Sequence, residues 1–202
     1  MSNIAIYWWA FNPPTLWHLN VIKEVITNSN INKIIIVPDW LRLDKNYNIK
    51  EKDRENLINI FINNLKNEWL NVELENHFLK NKNNSDTTTY KVDKYFINKY
   101  KKQVYHIFWT DISWEIKKWS WNPNKYIQKK LKKIFITRKW YKFIPYWLEN
   151  YILLKTKNIS NISSTKVKET INKNQKIDKL VTKEIEEYIK NNNLYKWQNT
   201  WK

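Results

Sequence analysis

The stretch Tyr7-Trp8-Trp9-Ala10-Phe11-Asn12-Pro13-Pro14-Thr15-Leu16-Trp17-His18-Leu19 decides how the chain is read. The apolar run Ile4-Ala5-Ile6-Tyr7 before the loop predicts a short buried strand, and an amphipathic helix begins near Leu16. Strand, tight polar loop and helix start together form the place where α/β proteins hold phosphates, because backbone N–H groups at a helix N-terminus point at the ligand. Thr15 and His18 stand at that helix start. The plainer reading makes Thr15 an N-cap and His18 a capping or core imidazole.

Composition adds an independent oddity. At ordinary usage of about 7% glycine a chain of this size carries roughly fourteen. This one, of 202 residues, has none, and it has 13 Trp. Glycine supplies positive φ and close backbone approach, and an indole replaces it in neither role. The expectation is that most of these Trp are glycine codons misread. UGA encodes Trp in one reassigned genetic code and Gly in another, and the abundance of Lys, Asn and Ile signals an A/T-rich gene. The alternative is an authentic Trp-rich protein, which UGG codons at 8, 9 and 17 would establish.

The length suits one domain with a real core, expected over residues 1–190 and followed by a polar tail over 191–202. The formal net charge of +17 is spread along the chain, and an A/T-rich gene inflates Lys whatever the function, so nucleic acid is not the favoured partner. The absence of Cys excludes disulfides and thiolate metal sites. No signal-peptide pattern opens the chain and no apolar run approaches about 18 residues, so no membrane partner and a cytoplasmic location are expected. No motif fixes an oligomeric state.

Along the chain, strands and helices alternate. Leu19, Ile22, Val25 and Ile26 recur at helical spacing, and Ile34-Ile35-Ile36-Val37 reads as a central parallel strand buried on both faces. Residues 39–52 form a long polar segment, a candidate substrate loop. Asp53 is expected to cap a helix with Leu57, Ile58, Phe61, Ile62 and Leu65 on one face. Val72-Glu73-Leu74 reads as a strand, residues 76–86 as loop, and 90–100 as a helix with Val92, Tyr95, Phe96 and Tyr100 inward. Residues 104–108 predict a strand, 112–118 and 122–131 helices, and 134–136 and 151–154 strands. Ser163-Ser164-Thr165 offer caps to a helix containing Val167 and Ile171. A last helix over 179–190 should bury Leu180, Val181, Ile185, Tyr188 and Ile189, with fraying beyond Asn191. Such alternation predicts a doubly wound parallel α/β sheet with helices on both faces and ligands beyond the carboxyl ends of its strands.

Two segments resemble the paired signatures of the nucleotidyltransferase superfamily. The first loop is similar to Gly-Gly-x-Phe-Asn/Asp-Pro-Pro followed by His/Thr-x-Gly-His, with Trp8, Trp9 and Trp17 at the glycine positions. Ile162-Ser163-Ser164-Thr165-Lys166-Val167-Lys168 resembles Ile-Ser-Ser-Thr-x-Ile-Arg. Between them lie Thr89-Tyr90-x-x-Asp93, Trp109-Thr110-Asp111 followed eight residues later by Trp119, and Thr137-Arg138-Lys139-Trp140-Tyr141. In this order they look like nicotinate-nucleotide adenylyltransferase, as does the ending Glu187-Tyr188-Ile189 through Asn193-Leu194-Tyr195. Trp109 and Trp140 again fall on family glycines, whereas Trp119 falls on a family Trp.

The resemblance implies a Rossmann-like fold and adenylyl transfer from ATP to nicotinate mononucleotide, with Mg²⁺ accompanying ATP and no protein metal site. His18 is then the catalytic donor to the α-phosphate. Trp8, Trp9, Ala10, Phe11, Thr15, Asp111, Arg138, Ser163, Ser164, Thr165 and Lys168 line the ATP site. Lys45, Thr89, Tyr90 and Trp119 hold the acceptor, Trp119 by stacking on the pyridine. Three departures stand out: Lys168 replaces Arg and loses the bidentate fork, Lys91 replaces the second Thr, and Asp44 replaces a His beside Lys45. Nicotinamide mononucleotide and phosphopantetheine are the alternative acceptors, the latter disfavoured by the Asp111…Trp119 spacing. The alternative of another class is a basic, aromatic single-strand-binding module, which predicts steeply salt-dependent oligonucleotide binding and no ATP turnover.

Overall fold

The computed structural model describes residues 3–39, 49–80, 88–116, 124–137, 144–155 and 162–196. Six strands, β1 (Asn3–Trp9), β2 (Ile31–Pro38), β3 (Val72–Leu74), β4 (Tyr105–Trp109), β5 (Lys132–Ile136) and β6 (Tyr151–Leu154), form one sheet. Its order is β3-β2-β1-β4-β5-β6, and every pairing is parallel. The chain winds outward one way from β1 through β3, then returns to β1's other side with β4, so the switch point lies between β1 and β4. This is the doubly wound parallel sheet expected from the alternation of elements, and the Rossmann-like fold that the resemblance implies.

Alternation along each strand divides the core. Ala5, Tyr7, Ile34 and Ile36 face one side, under α1 (Leu16–Asn28), α2 (Glu51–Asn67), α7 (Ser164–Asn172) and α8 (Lys183–Asn191). Ile4, Ile6, Ile35 and Val37 face the other, against Val92 and Phe96 of α4 (Thr89–Tyr100). A third cluster joins Phe135 to Ile116 after α5 (Ile112–Glu115) and to Ile127 of α6 (Asn124–Lys129). The all-apolar run of β2 is thus buried on both faces, which a parallel strand requires.

Several local expectations are corrected. Lys50, not Asp53, is the N-cap of α2; Asp53 lies in the first turn and accepts from the Tyr188 hydroxyl at 3.0 Å. Residues 77–80 of the expected loop form a short helix, α3 (His77–Lys80). Tyr95 and Tyr100 do pack inward against the cluster of Val92 and Phe96 while staying half-buried, and Tyr95 turns its hydroxyl to Glu75 at 2.9 Å. The last helix starts at Lys183; Leu180 and Val181 belong to the turn before it, closed by bonds to the Ile177 carbonyl. Fraying beyond Asn191 does not hold for residues 192–196, since Leu194 and Tyr195 are buried.

Two sites carry stability predictions. Lys133 is fully buried in β5, and its ammonium donates to the carbonyls of Ile127 (2.8 Å), Gln128 (3.3 Å) and Leu131 (2.6 Å). It closes the C-terminal end of α6, where carbonyls otherwise lack partners, and burial lowers its pKa to about 8. Lys133→Met is expected to cost about 2–3 kcal/mol in urea unfolding, because buried carbonyls lose their donor. At the end of α2, Trp69 has φ 60°. Its N–H bonds the Lys66 carbonyl at 2.9 Å, and the Leu70 N–H bonds Leu65 at 3.1 Å. These two bonds make a Schellman motif, whose left-handed C′ position glycine fills best. The Trp69 indole is 95% exposed, so packing does not favour Trp there. Trp69→Gly is expected to stabilise the chain by about 1 kcal/mol in the same assay.

Candidate functional site

Loop 10–14 leaves the carboxyl end of β1 at the switch point and is pinned from three distant segments. Arg54, buried on α2, donates to the Ala10 carbonyl through Nε (3.1 Å) and Nη2 (2.7 Å), and to the Asp39 carbonyl after β2. The Tyr195 hydroxyl donates to Asn12 Oδ1 at 2.7 Å, and burial pushes its pKa far up, which keeps it a donor. Ser164 Oγ donates to the Pro13 carbonyl at 2.8 Å, tying α7 to the loop across 151 residues of sequence. Arg54 and Tyr195 were not among the candidates; a helix-borne Arg and a tail Tyr carry no sequence signal for a loop they meet only in space.

Thr15 is the N-cap of α1 and His18 its N3 residue. The Thr15 backbone N–H lies 3.0 Å from His18 Nδ1, and Thr15 Oγ1 lies 2.9 Å from the same nitrogen. A backbone N–H can only donate, so Nδ1 accepts, and the proton of the neutral imidazole sits on Nε2. Phe11 (5.0 Å), Trp17 (5.2 Å) and Tyr7 (6.1 Å) ring the imidazole, which is 1% exposed. Thr15 is fully buried beside His18, and its hydroxyl oxygen lies against the imidazole. The Phe11 side chain is likewise buried, and Ala10 presents its carbonyl to Arg54.

The second signature opens α7. Ser163 is its N-cap, accepting from the Lys166 N–H at 3.1 Å. Ser163 and Thr165 are exposed. Thr165 and Lys168 line a cleft of about 1220 Å³ together with Lys50, Lys52, Tyr195 and Lys196, and Lys168 Nζ lies 5.4 Å over the Tyr195 ring. Asp53 and Glu169 line the cleft as well, so its four ammonium groups outnumber its carboxylates two to one and leave a net positive lining that suits a polyphosphate. Asp111, half-buried just beyond β4, accepts from the Ile112 N–H at 3.0 Å and caps α5. Thr89 and Tyr90 open α4, which packs on the other face of the sheet and starts at the carboxyl end of its strands, with Thr88 as its cap. The structure therefore gathers the described candidates of both signatures around the carboxyl ends of β1 and β4. Lys45, Trp119 and Arg138 lie outside the described residues.

Indoles occupy the switch point itself. Trp9 ends β1, Trp109 ends β4, and Trp17 is in the first turn of α1. Trp17 stacks on Trp109 at 3.9 Å, and Trp9 meets Trp109 edge-on at 6.2 Å. Trp8 points to the opposite face, where its buried Nε1 has no hydrogen-bond partner among the described residues. Among those residues, no group of three or more His, Cys, Asp or Glu is placed to hold a metal, and no helix is long and apolar enough to cross a membrane.

No protein-family model matches the chain. It is 27% identical over 201 residues to a protein of Caldicellulosiruptor saccharolyticus, covering 96% of this chain and 98% of that one. It is 28% identical over 194 residues to one of Fusobacterium nucleatum, covering 92% and 96%. Both are described as "Probable nicotinate-nucleotide adenylyltransferase". Among solved structures, it resembles Plasmodium falciparum nicotinic acid mononucleotide adenylyltransferase complexed with NaAD. The TM-score is 0.78 and the identity 25%, over 96% of this chain and 98% of that one.

Proposed function

We propose that this chain, which belongs to the nicotinate-nucleotide adenylyltransferase family, transfers the adenylyl group of ATP to nicotinate mononucleotide. The products are nicotinate adenine dinucleotide and pyrophosphate, a step of NAD biosynthesis, carried out in the cytoplasm. A phosphate oxygen of the mononucleotide attacks the α-phosphorus of ATP. The bond to the bridging oxygen breaks, and its electron pair leaves with pyrophosphate. No protein nucleophile takes part; the protein positions the reactants and stabilises charge on the equatorial oxygens.

The observation that carries this reading is the His18 tautomer at the switch point. With Nδ1 accepting from Thr15, Nε2–H is the donor that meets the α-phosphate. Ser163, Ser164, Thr165 and Lys168 take the β- and γ-phosphates, joined by Arg138, and Asp111 takes a ribose hydroxyl. Thr89, Tyr90, Lys45 and Trp119 hold the acceptor. Mg²⁺ enters with ATP as part of the substrate, held by phosphate oxygens and water. The test is pyrophosphate release from ATP plus nicotinate mononucleotide. Release only with nicotinamide mononucleotide or phosphopantetheine reassigns the acceptor. Oligonucleotide binding without turnover makes the chain a nucleic-acid module instead.

Glycine, we propose, stands where the sequence reads Trp8, Trp9, Trp17, Trp69, Trp109 and Trp140. The left-handed, exposed Trp69 and the indole stack at the switch point support this, beside the absence of any glycine. Peptide mass spectrometry of the protein from its own cells tests it: glycine at these positions is expected, and Trp there, encoded by UGG, overturns it.

A further inference from the structure

Three buried or half-buried polar side chains from three elements meet beside the acceptor segment. Asp93 of α4 and His106 of β4 are each 2% exposed. His106 Nε2 donates to Asp93 Oδ1 at 3.0 Å, and the Tyr126 hydroxyl of α6 donates to Oδ2 at 2.5 Å.

Burying a carboxylate is unfavourable unless donors meet it, and apolar side chains of similar volume fill such a place at no loss of stability. What the polar triad supplies is direction. Apolar contacts between helix and sheet tolerate sliding, whereas hydrogen bonds of 2.5 and 3.0 Å fix α4 and α6 on β4. The consequence reaches α4's first turn. The Tyr126 ring stands edge-on to Tyr90 at 4.9 Å, and Lys94 Nζ lies 5.4 and 5.2 Å over the two rings. Tyr126 is held at its hydroxyl by Asp93 and at its ring by Tyr90. Burial and the Asp93 hydrogen bond push its pKa far above the ordinary tyrosine value, which keeps the hydroxyl a donor.

We infer that Asp93 is a positioning residue for the acceptor: through Tyr126 it sets the orientation of Tyr90 toward nicotinate mononucleotide. The inference rests on the proposed reaction, with Tyr90 in the acceptor site. Asp93 touches no reacting atom. Tyr126→Phe removes one hydroxyl and leaves Asp93 paired with His106, so the core stays packed. Asp93→Asn keeps the shape and replaces an acceptor of two bonds by a group that donates on one side.

The experiment compares steady-state kinetics of both variants with their parent, the glycine chain or the chain as written, whichever turns over, and follows thermal unfolding alongside. The expected result is a KM for nicotinate mononucleotide raised about tenfold in Tyr126→Phe, with kcat and the KM for ATP within about twofold. Asp93→Asn should show the same split, more strongly. A lowered melting temperature with both KM values unchanged shows a merely structural network and overturns the inference while the reaction stands. Absence of turnover with nicotinate mononucleotide in both parents, each folded, overturns the reaction, and the inference with it.

Discussion

With glycine at 8, 9, 17, 40, 69, 109, 114, 121, 140 and 147, the chain is expected to release pyrophosphate from ATP and nicotinate mononucleotide at least a hundredfold faster than as written. That ratio is about 2.7 kcal/mol of transition-state stabilisation. Ligands of a doubly wound sheet sit beyond the strand ends at the switch point. There, Trp17 and Trp109 stack at 3.9 Å with Trp9 against them. On the proposed function, their rings fill the volume that the nucleotide needs and keep its phosphate oxygens from the N–H groups of the loop. Glycine at 9, 17 and 109 removes all three indoles at once. ATP titration by calorimetry should show micromolar-range binding to the glycine chain and none to the chain as written. Tight ATP binding by the Trp chain would overturn the occlusion argument. Inactivity of both chains, each folded, would shift the assignment first to another acceptor and then to nucleic-acid binding.

His18→Ala in the active chain is expected to lower kcat by about 10²–10³, the loss found when one donor to a developing oxyanion is removed, with the KM for ATP changed much less. His18 also accepts from the Thr15 N–H, so its removal costs a capping bond of about 1 kcal/mol as well. His18→Gln separates the two effects, because a Gln at N3 can accept from the N-cap N–H as His18 does while moving the donor. A Gln variant with the parent's melting temperature and the Ala variant's kcat isolates the Nε2 donor. A Gln or Ala variant that keeps full kcat removes His18 from the chemistry.

The order and type of most elements were legible in the residues. Ile34-Ile35-Ile36-Val37 before Pro38 admits little but a buried parallel strand, and the Leu57-to-Leu65 stripe little but a helix face. Both are local patterns, and the burial that rewards them is the same wherever the partner stands. The two helix starts that carry the proposed phosphate contacts were legible too, since Pro-Pro-Thr and Ser-Ser-Thr announce helix starts by their own chemistry. Cap identity was less so: Lys50 took the place expected of Asp53, whose carboxylate had a partner in Tyr188, distant in sequence.

What the sequence alone determined is therefore the sheet, its winding and the two helix starts that open α1 and α7, together with the missing glycine. Only the tertiary structure decided what holds those loops. Arg54 on the Ala10 carbonyl, Tyr195 on Asn12 and Ser164 on Pro13 join residues 44, 183 and 151 apart. Only it showed Asp93 between His106 and Tyr126, and Trp17 on Trp109. Periodicity reports which face of an element is buried. It carries no information on which distant donor meets which buried acceptor, because that pairing exists only once the layers have closed.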